Sequence, residues 1–237
     1  MPTDDFLDQV EVFSQKLSKI INGTVSQDVI FDVLPIDELE QAYIFPSGST
    51  VSKHVPIPIT SILQPNQEPN LWLKVFFHVQ LDSKKEFLSI RSSVFSLVID
   101  GKTLRSAFRI EYDRDKGSEP DNSKLGVHAR SAAHVQIHGH SEEIGYIQGL
   151  NGNNKLRNLS DFHFPVGGRR FRPSLEDFIE FIHSEKLVTT LNSGWQNVLA
   201  ENRGHWLEIQ LKSAVRAQPD VAIKQLTEMG YQVTNGA

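Results

Sequence analysis

Residues 134–140 read His-Val-Gln-Ile-His-Gly-His. On a strand, alternate side chains share a face. That spacing sets His134, Gln136, His138 and His140 on one ridge, with Val135 and Ile137 on the other. Imidazoles act near neutral pH as general acids, general bases or metal ligands, so this ridge is where chemistry is expected first. A strand over 107–114, if it pairs with this one, would bring Arg109, Glu111 and Asp113 to the same face. A carboxylate beside a histidine fixes its tautomer, and an arginine holds a phosphate or carboxylate. On this reading His138 and His140 carry acid–base catalysis beside Glu111, while Arg109 contacts the substrate. The alternative is a solvated polar strand face in a chain with nine histidines.

A second stretch, Asp161-Phe-His-Phe-Pro-Val-Gly-Gly-Arg-Arg-Phe-Arg-Pro173, leads into a helix opened by Ser174. Paired glycines permit tight backbone geometry, and arginines before a helix N-terminus favour an anion there. Arg169 and Arg172 are the substrate-binding candidates of this segment. Glu176 and Asp177 already answer the helix dipole, and a hairpin whose arginines make structural ion pairs explains the segment equally well. No Gly-Lys-Ser/Thr follows, so it is not a P-loop. Two catalytic patterns come near 134–140 and fail. Histidine-triad hydrolases need histidine where Gln136 stands. Cupins need a glutamate later than Glu142 or Glu143. A metal site from His134, His138, His140 and His163 is a third reading. Without cysteine and without a complete ligand motif, any transition metal there is expected to bind weakly and to carry no structural role. No cofactor is specified.

Composition limits the function classes. Hydrophobic residues at 39% and charged residues at 22% belong to an ordinary globular chain, and the absence of cysteine excludes disulfides and thiolate chemistry. No apolar run reaches the roughly 18–20 residues that span a bilayer, and the N-terminus is acidic where a secretory signal would be basic. A cytoplasmic protein without membrane association is therefore expected. The net charge of −5 is uneven: residues 1–50 hold nine acids against Lys16 and Lys19. A basic protein partner could dock there. Lys155, Arg157, Arg169, Arg170 and Arg172 form a basic stretch broken only by Asp161. A general nucleic-acid coat would raise the charge of the whole domain, which this chain does not show.

The elements that must position these residues follow from periodicity. Phe6, Val10, Phe13, Leu17 and Ile20 predict an amphipathic helix over 4–21, stopped by Asn22-Gly23. An apolar run at 29–34 follows, and five prolines within 45–70 predict irregular connection. Leu71, Leu73, Val75, Phe77, Val79 and Leu81 alternate with Lys74, His78 and Gln80; Trp72 and Phe76 share that second face and predict partial cover for it. Strands are expected near 86–91, at 94–99 before Asp100-Gly101, at 107–114 and at 134–140. Ser174 with Asp177 predicts a capped helix with Leu175, Phe178, Ile179 and Ile182 inward. A longer helix over 194–217 carries Trp195, Leu199, Trp206, Ile209 and Leu211, of which Trp195 and Trp206 are expected in the core, and a last one runs from Pro219 to Gly230. The expected fold is α+β: an antiparallel β-sheet at about 71–140, an N-terminal helix and a C-terminal helical region. The expected organisation is an N-terminal acidic helix and first strand over 1–44, connection over 45–70, sheet over 71–173, and helices packing on it over 174–237, all in one compact domain.

Phe108–Arg114 (FRIEYDR), His134–His140 (HVQIHGH), His163–Pro173 (HFPVGGRRFRP) and Ser174–Phe181 (SLEDFIEF) together resemble a family of uncharacterised conserved bacterial proteins, mainly actinobacterial. Gln210–Arg216 (QLKSAVR) and Met229–Val233 (MGYQV) extend the resemblance over about 70–233. A looser likeness links the order of strand, aromatic-acid pair and histidine-rich strand to toxin–antitoxin-associated proteins. The resemblance implies no activity and no catalytic residue. The leading expectation is an enzyme-like domain acting on a phosphorylated substrate, a nucleotide or RNA, through the histidine strand. The competing one is a non-catalytic, antitoxin-like or regulatory protein that docks a basic partner through its acidic N-terminal region.

Overall fold

The computed structural model describes residues 3–36, 39–59, 71–99, 105–115, 132–139, 164–166, 172–189, 191 and 193–234. The fold is α+β. Helix α1 (Asp4–Thr24) leads into an antiparallel sheet that has, among the described residues, eight strands: β1 (Phe31–Ile36), β2 (Gln41–Pro46), β3 (Ile57–Ile59), β4 (Leu71–Leu81), β5 (Leu88–Val98), β6 (Ser106–Asp113), β7 (Ala133–Ile137) and β8 (Phe164–Pro165). Helices α2 (Leu175–Ser184), α3 (Trp195–Ala217) and α4 (Pro219–Glu228) follow. The sheet order is β1-β2-β4-β5-β6-β7-β8, and β3 pairs with the first residues of β4, on the edge that β2 pairs further along. The chain divides into two compact units, Met1–Leu199 and Ala200–Ala237.

Alternation in β4 decides how the larger unit packs. Leu73, Val75, Phe77, Val79 and Leu81 are buried, while Trp72, Lys74, Phe76, His78 and Gln80 are half-buried on the opposite face. Helices take the apolar side. Phe13 of α1 meets Phe77 edge-on at 5.3 Å, and Phe178 of α2 lies 6.0 Å from Phe95 and stacks at 5.0 Å on Phe108. α2 begins where Ser174 and Asp177 close a reciprocal capping box. Removing that cap leaves a first-turn N–H without its acceptor. Ser174→Ala is therefore expected to cost about 1 kcal/mol, which calorimetry would read as a fall of roughly 2–4 °C in the unfolding midpoint. An unchanged midpoint would show that water replaces the cap at no cost.

Several boundaries differ from the sequence expectation. The strands expected near 86–91 and 94–99 are one strand, β5. His78 pairs with Ser92 and Val79 with Ile90, so Arg91 is an extra residue that the ladder absorbs as a bulge. The connection expected over 45–70 contains the end of β2 and all of β3. Proline tolerates these places because they lie on strand edges: Pro58 sits in three-residue β3, and Pro35 sits in the outer strand β1 opposite Ala42. α1 continues through Asn22-Gly23. Asn22 instead holds the following loop, its amide donating to the Val29 carbonyl at 3.0 Å and its oxygen accepting from the Val29 amide at 2.8 Å. Gly23 lets α3 approach, since a Cβ there would stand 3.1 Å from a Val198 methyl. In α3 only Trp195 and Leu199 are buried; Trp206, expected in the core, is half-buried, Leu211 is 65% exposed, and α4 buries no residue. Gly230, with φ of +89°, ends the last helix as expected.

Candidate functional site

The second face of the sheet carries the polar side chains, and strand register decides which of them meet. β6 pairs with β7 so that Glu111 stands opposite His134 and Arg109 opposite Gln136. Through β5, Arg109 aligns with Ser96 and Lys74. The Arg109 guanidinium donates twice to Gln136 Oε1, at 3.0 and 2.6 Å, and lies 3.0 Å from Glu111 Oε1. The other Glu111 oxygen lies 3.1 Å from His134 Nε2. An ionised carboxylate only accepts, so that ring nitrogen carries the proton and the tautomer is set. Gln136, Arg109, Glu111 and His134 thus form one continuous chain of hydrogen bonds across two strands.

Burial separates the members of this chain. His134 is fully buried and Gln136 nearly so, at 0% and 8% exposure, while Arg109 and Glu111 are half-buried. Val135 is half-buried and Ile137 exposed. Ala133, on the apolar side, is fully buried as well, so β7 is covered on both faces at its start, and from His134 on its polar residues are the more deeply buried, contrary to the ordinary alternation of apolar-in and polar-out. A fully paired polar network makes this tolerable, because each buried group exchanges water for a charged or hydrogen-bonded partner.

Beyond this network lies a second cluster that the sequence reading did not single out as a site. On β4 the half-buried face runs Trp72, Lys74, Phe76, His78. Tyr43 of β2 lies 4.6 Å from the His78 ring and 5.6 Å from Phe76, and His54 meets Phe76 edge-on at 5.0 Å. His78 Nε2 lies 3.0 Å from Gln41 Oε1. Burial, and then the neighbouring Arg91 cation, pull the His78 pKa below the ordinary imidazole value. Burial, and then Lys74, do the same to His54, whose buried Nδ1 has no hydrogen-bond partner. Lys74 is itself held below the ordinary lysine value, first by burial and second by the Arg109 cation, with Glu111 opposing. The signal for this cluster was present in the even-numbered alternation of β4. What periodicity could not supply was Tyr43 and His54, which reach the face from β2 and from the proline-rich connection before β3.

The other candidates from the sequence are distributed elsewhere. His138 is exposed just beyond β7, its backbone amide donating to the Ala107 carbonyl at 2.8 Å. His140, His163 and Arg169 lie outside the described residues. Arg172 does not join Arg109. It is 7% exposed, its guanidinium 4.8 Å over the ring of Tyr112, which belongs to the opposite face of β6. Burial lowers its pKa to about 10, with Tyr112 and Glu176 favouring the cation and Arg114 opposing it. That is the setting of a side chain that ties the entry of α2 to the sheet. Among the described residues, no group of three histidine, aspartate or glutamate side chains could hold a metal ion, and no described helix is long and apolar enough to cross a membrane. Asp4 and Asp5, part of the acidic N-terminal region, occupy the first turn of α1, where carboxylates favour the helix dipole.

The arrangement offers aromatic surfaces, two cations near one carboxylate, and imidazoles that burial biases toward the neutral form. Such a face can stack planar groups and compensate an anion. No family model, curated protein or solved structure matches the chain.

Proposed function

We propose that the polar face of the sheet binds a phosphorylated ligand of the nucleotide or single-stranded RNA class. Lys74 and Arg109 would contact phosphate, and Trp72, Phe76 and Tyr43 would stack on bases. The observation that carries this reading is the alignment of Lys74 and Arg109 across Ser96, a side chain too small to separate them. Two half-buried cations raise each other's cost, and a bound anion would relieve it. The interleaved aromatics supply the other half of single-strand recognition, in which bases splay onto aromatic side chains. The acidic chain as a whole argues for a short ligand. With two phosphate contacts the affinity should fall with salt at a log–log slope of roughly −1.4.

Chemistry would be secondary to binding on this face. His134, sealed against Glu111, orients the network and holds Arg109 in place through the shared carboxylate. A proton-transfer role would fall to an accessible imidazole, with His78 on the face and His138 at the end of β7 as the two candidates.

Tryptophan fluorescence, titrated with AMP and with short oligouridylate, tests the reading. Because Trp195 and Trp206 also emit, Trp72→Phe serves to assign the signal. The wild-type protein is expected to bind at least one ligand, with the quench lost in Trp72→Phe. Lys74→Met is expected to weaken binding about 10–100-fold, the value of one charge-assisted phosphate contact. Absence of binding at millimolar ligand, or binding indifferent to Lys74→Met, would remove the proposal.

A further inference from the structure

The unit Ala200–Ala237 contains no buried residue among those described. Its helices carry large apolar side chains in water: Leu207 and Leu211 are 55% and 65% exposed, and Val215, Val221 and Leu226 are exposed as well. Units below about 40 residues ordinarily need disulfides, metals or association to hold a fold, and this chain has no cysteine. Leu207, Leu211 and Val215 recur every four residues and so share one stripe of α3. Gly204 stands on the same stripe, three residues before Leu207. Glycine is among the least favourable residues for a helix interior. A Cβ at Gly204 would nevertheless meet nothing within 4 Å, so the packing of a single chain does not call for it.

We propose that this stripe of α3 pairs antiparallel with the same stripe of a second copy of the chain. Reversal of one helix against the other sets Leu207 against Leu211 of the second copy, and Gly204 against Ala214, where two small residues let the backbones approach closely. Charge favours a second copy over a charged partner. From Ala200 to Glu228 the acids Glu201, Glu208, Asp220 and Glu228 are balanced by Arg203, Lys212, Arg216 and Lys224. Glu208 and Lys212 lie on one flank of the stripe, where they pair within the helix at 2.6 Å. Antiparallel pairing sets each beside its opposite on the other copy, an arrangement that a two-fold interface repeats twice.

Sedimentation equilibrium of the full chain provides the test. The wild-type protein is expected to show twice the 26.8 kDa of one chain. Leu211→Glu changes a side chain already in water, so it should fold normally and weaken association at least tenfold. Gly204→Leu separates an interface role from a local one. It favours the helix and meets open space in a lone chain, yet should loosen the dimer by filling the close approach. A wild-type protein that stays monomeric would overturn the proposal. So would a dimer whose dissociation constant neither substitution raises.

Discussion

Phe178→Ala is expected to destabilise the protein by about 3–5 kcal/mol, the range for truncating a buried aromatic side chain. Phe178 is 0% exposed and lies between Phe95 of β5 and Phe108 of β6, so the vacated space is bounded by rings held in place by two strands. Rings fixed by a sheet cannot collapse easily into a cavity, which places the cost toward the upper part of that range. Phe181, one turn later on α2, touches Phe108 edge-on but remains 44% exposed. Phe181→Ala should cost well under half as much. Urea unfolding of both variants makes the comparison. Equal losses would mean that α2 is held by its whole length rather than by the Phe178 contact.

Glu111→Ala is expected to be the most damaging change on the polar face, at about 2–3 kcal/mol. It removes one carboxylate from two partners at once, and the two limbs differ in worth. The His134 limb is buried, so the loss strands a ring N–H away from water. The Arg109 limb is about one-third exposed, and solvent screening reduces its share. Glu111→Gln keeps an acceptor for one partner and should recover part of the loss. Thermal unfolding should show a midpoint lower by roughly 4–12 °C for the alanine variant, with the glutamine variant between it and wild type. If the alanine variant matched wild type, the hydrogen-bond chain would contribute nothing to stability and its proposed role in holding Arg109 would fall with it.

The elements were legible in the sequence wherever one side chain pattern served one face. α1, β4, the capping box at Ser174 and the C-terminal glycine at Gly230 follow directly from spacing. β5 was harder, because a bulge at Arg91 interrupts alternation without ending the strand, and periodicity reads both events alike. β3 escaped because three residues are too few to show a period. At the site, alternation placed Arg109 and Glu111 on one face and His134 on another strand's ridge, but their meeting was conditional on the two strands pairing, and only the register sets Glu111 opposite His134. The depth of His134 could not be read from alternation. Alternation tells which residues share a face, and composition suggests that a polar face is the wet one. The buried polar face here depends on pairings across strands distant in sequence. Trp206 fell short in the opposite direction: helical spacing suggests an apolar stripe and hence core, but spacing does not say what lies against it, and Trp206 is only half-buried.

Pro35 in the outermost strand has a consequence for the behaviour of the protein at high concentration. A sheet's margin is a template on which another extended chain can add itself, and such additions propagate into fibres. β1 offers that margin six residues of backbone, with a proline that contributes no N–H to an incoming strand. Stacking of sheets edge to edge is thereby discouraged along β1. Association of this chain is then directed to side-chain surfaces, where it can be specific and reversible, instead of to bare backbone.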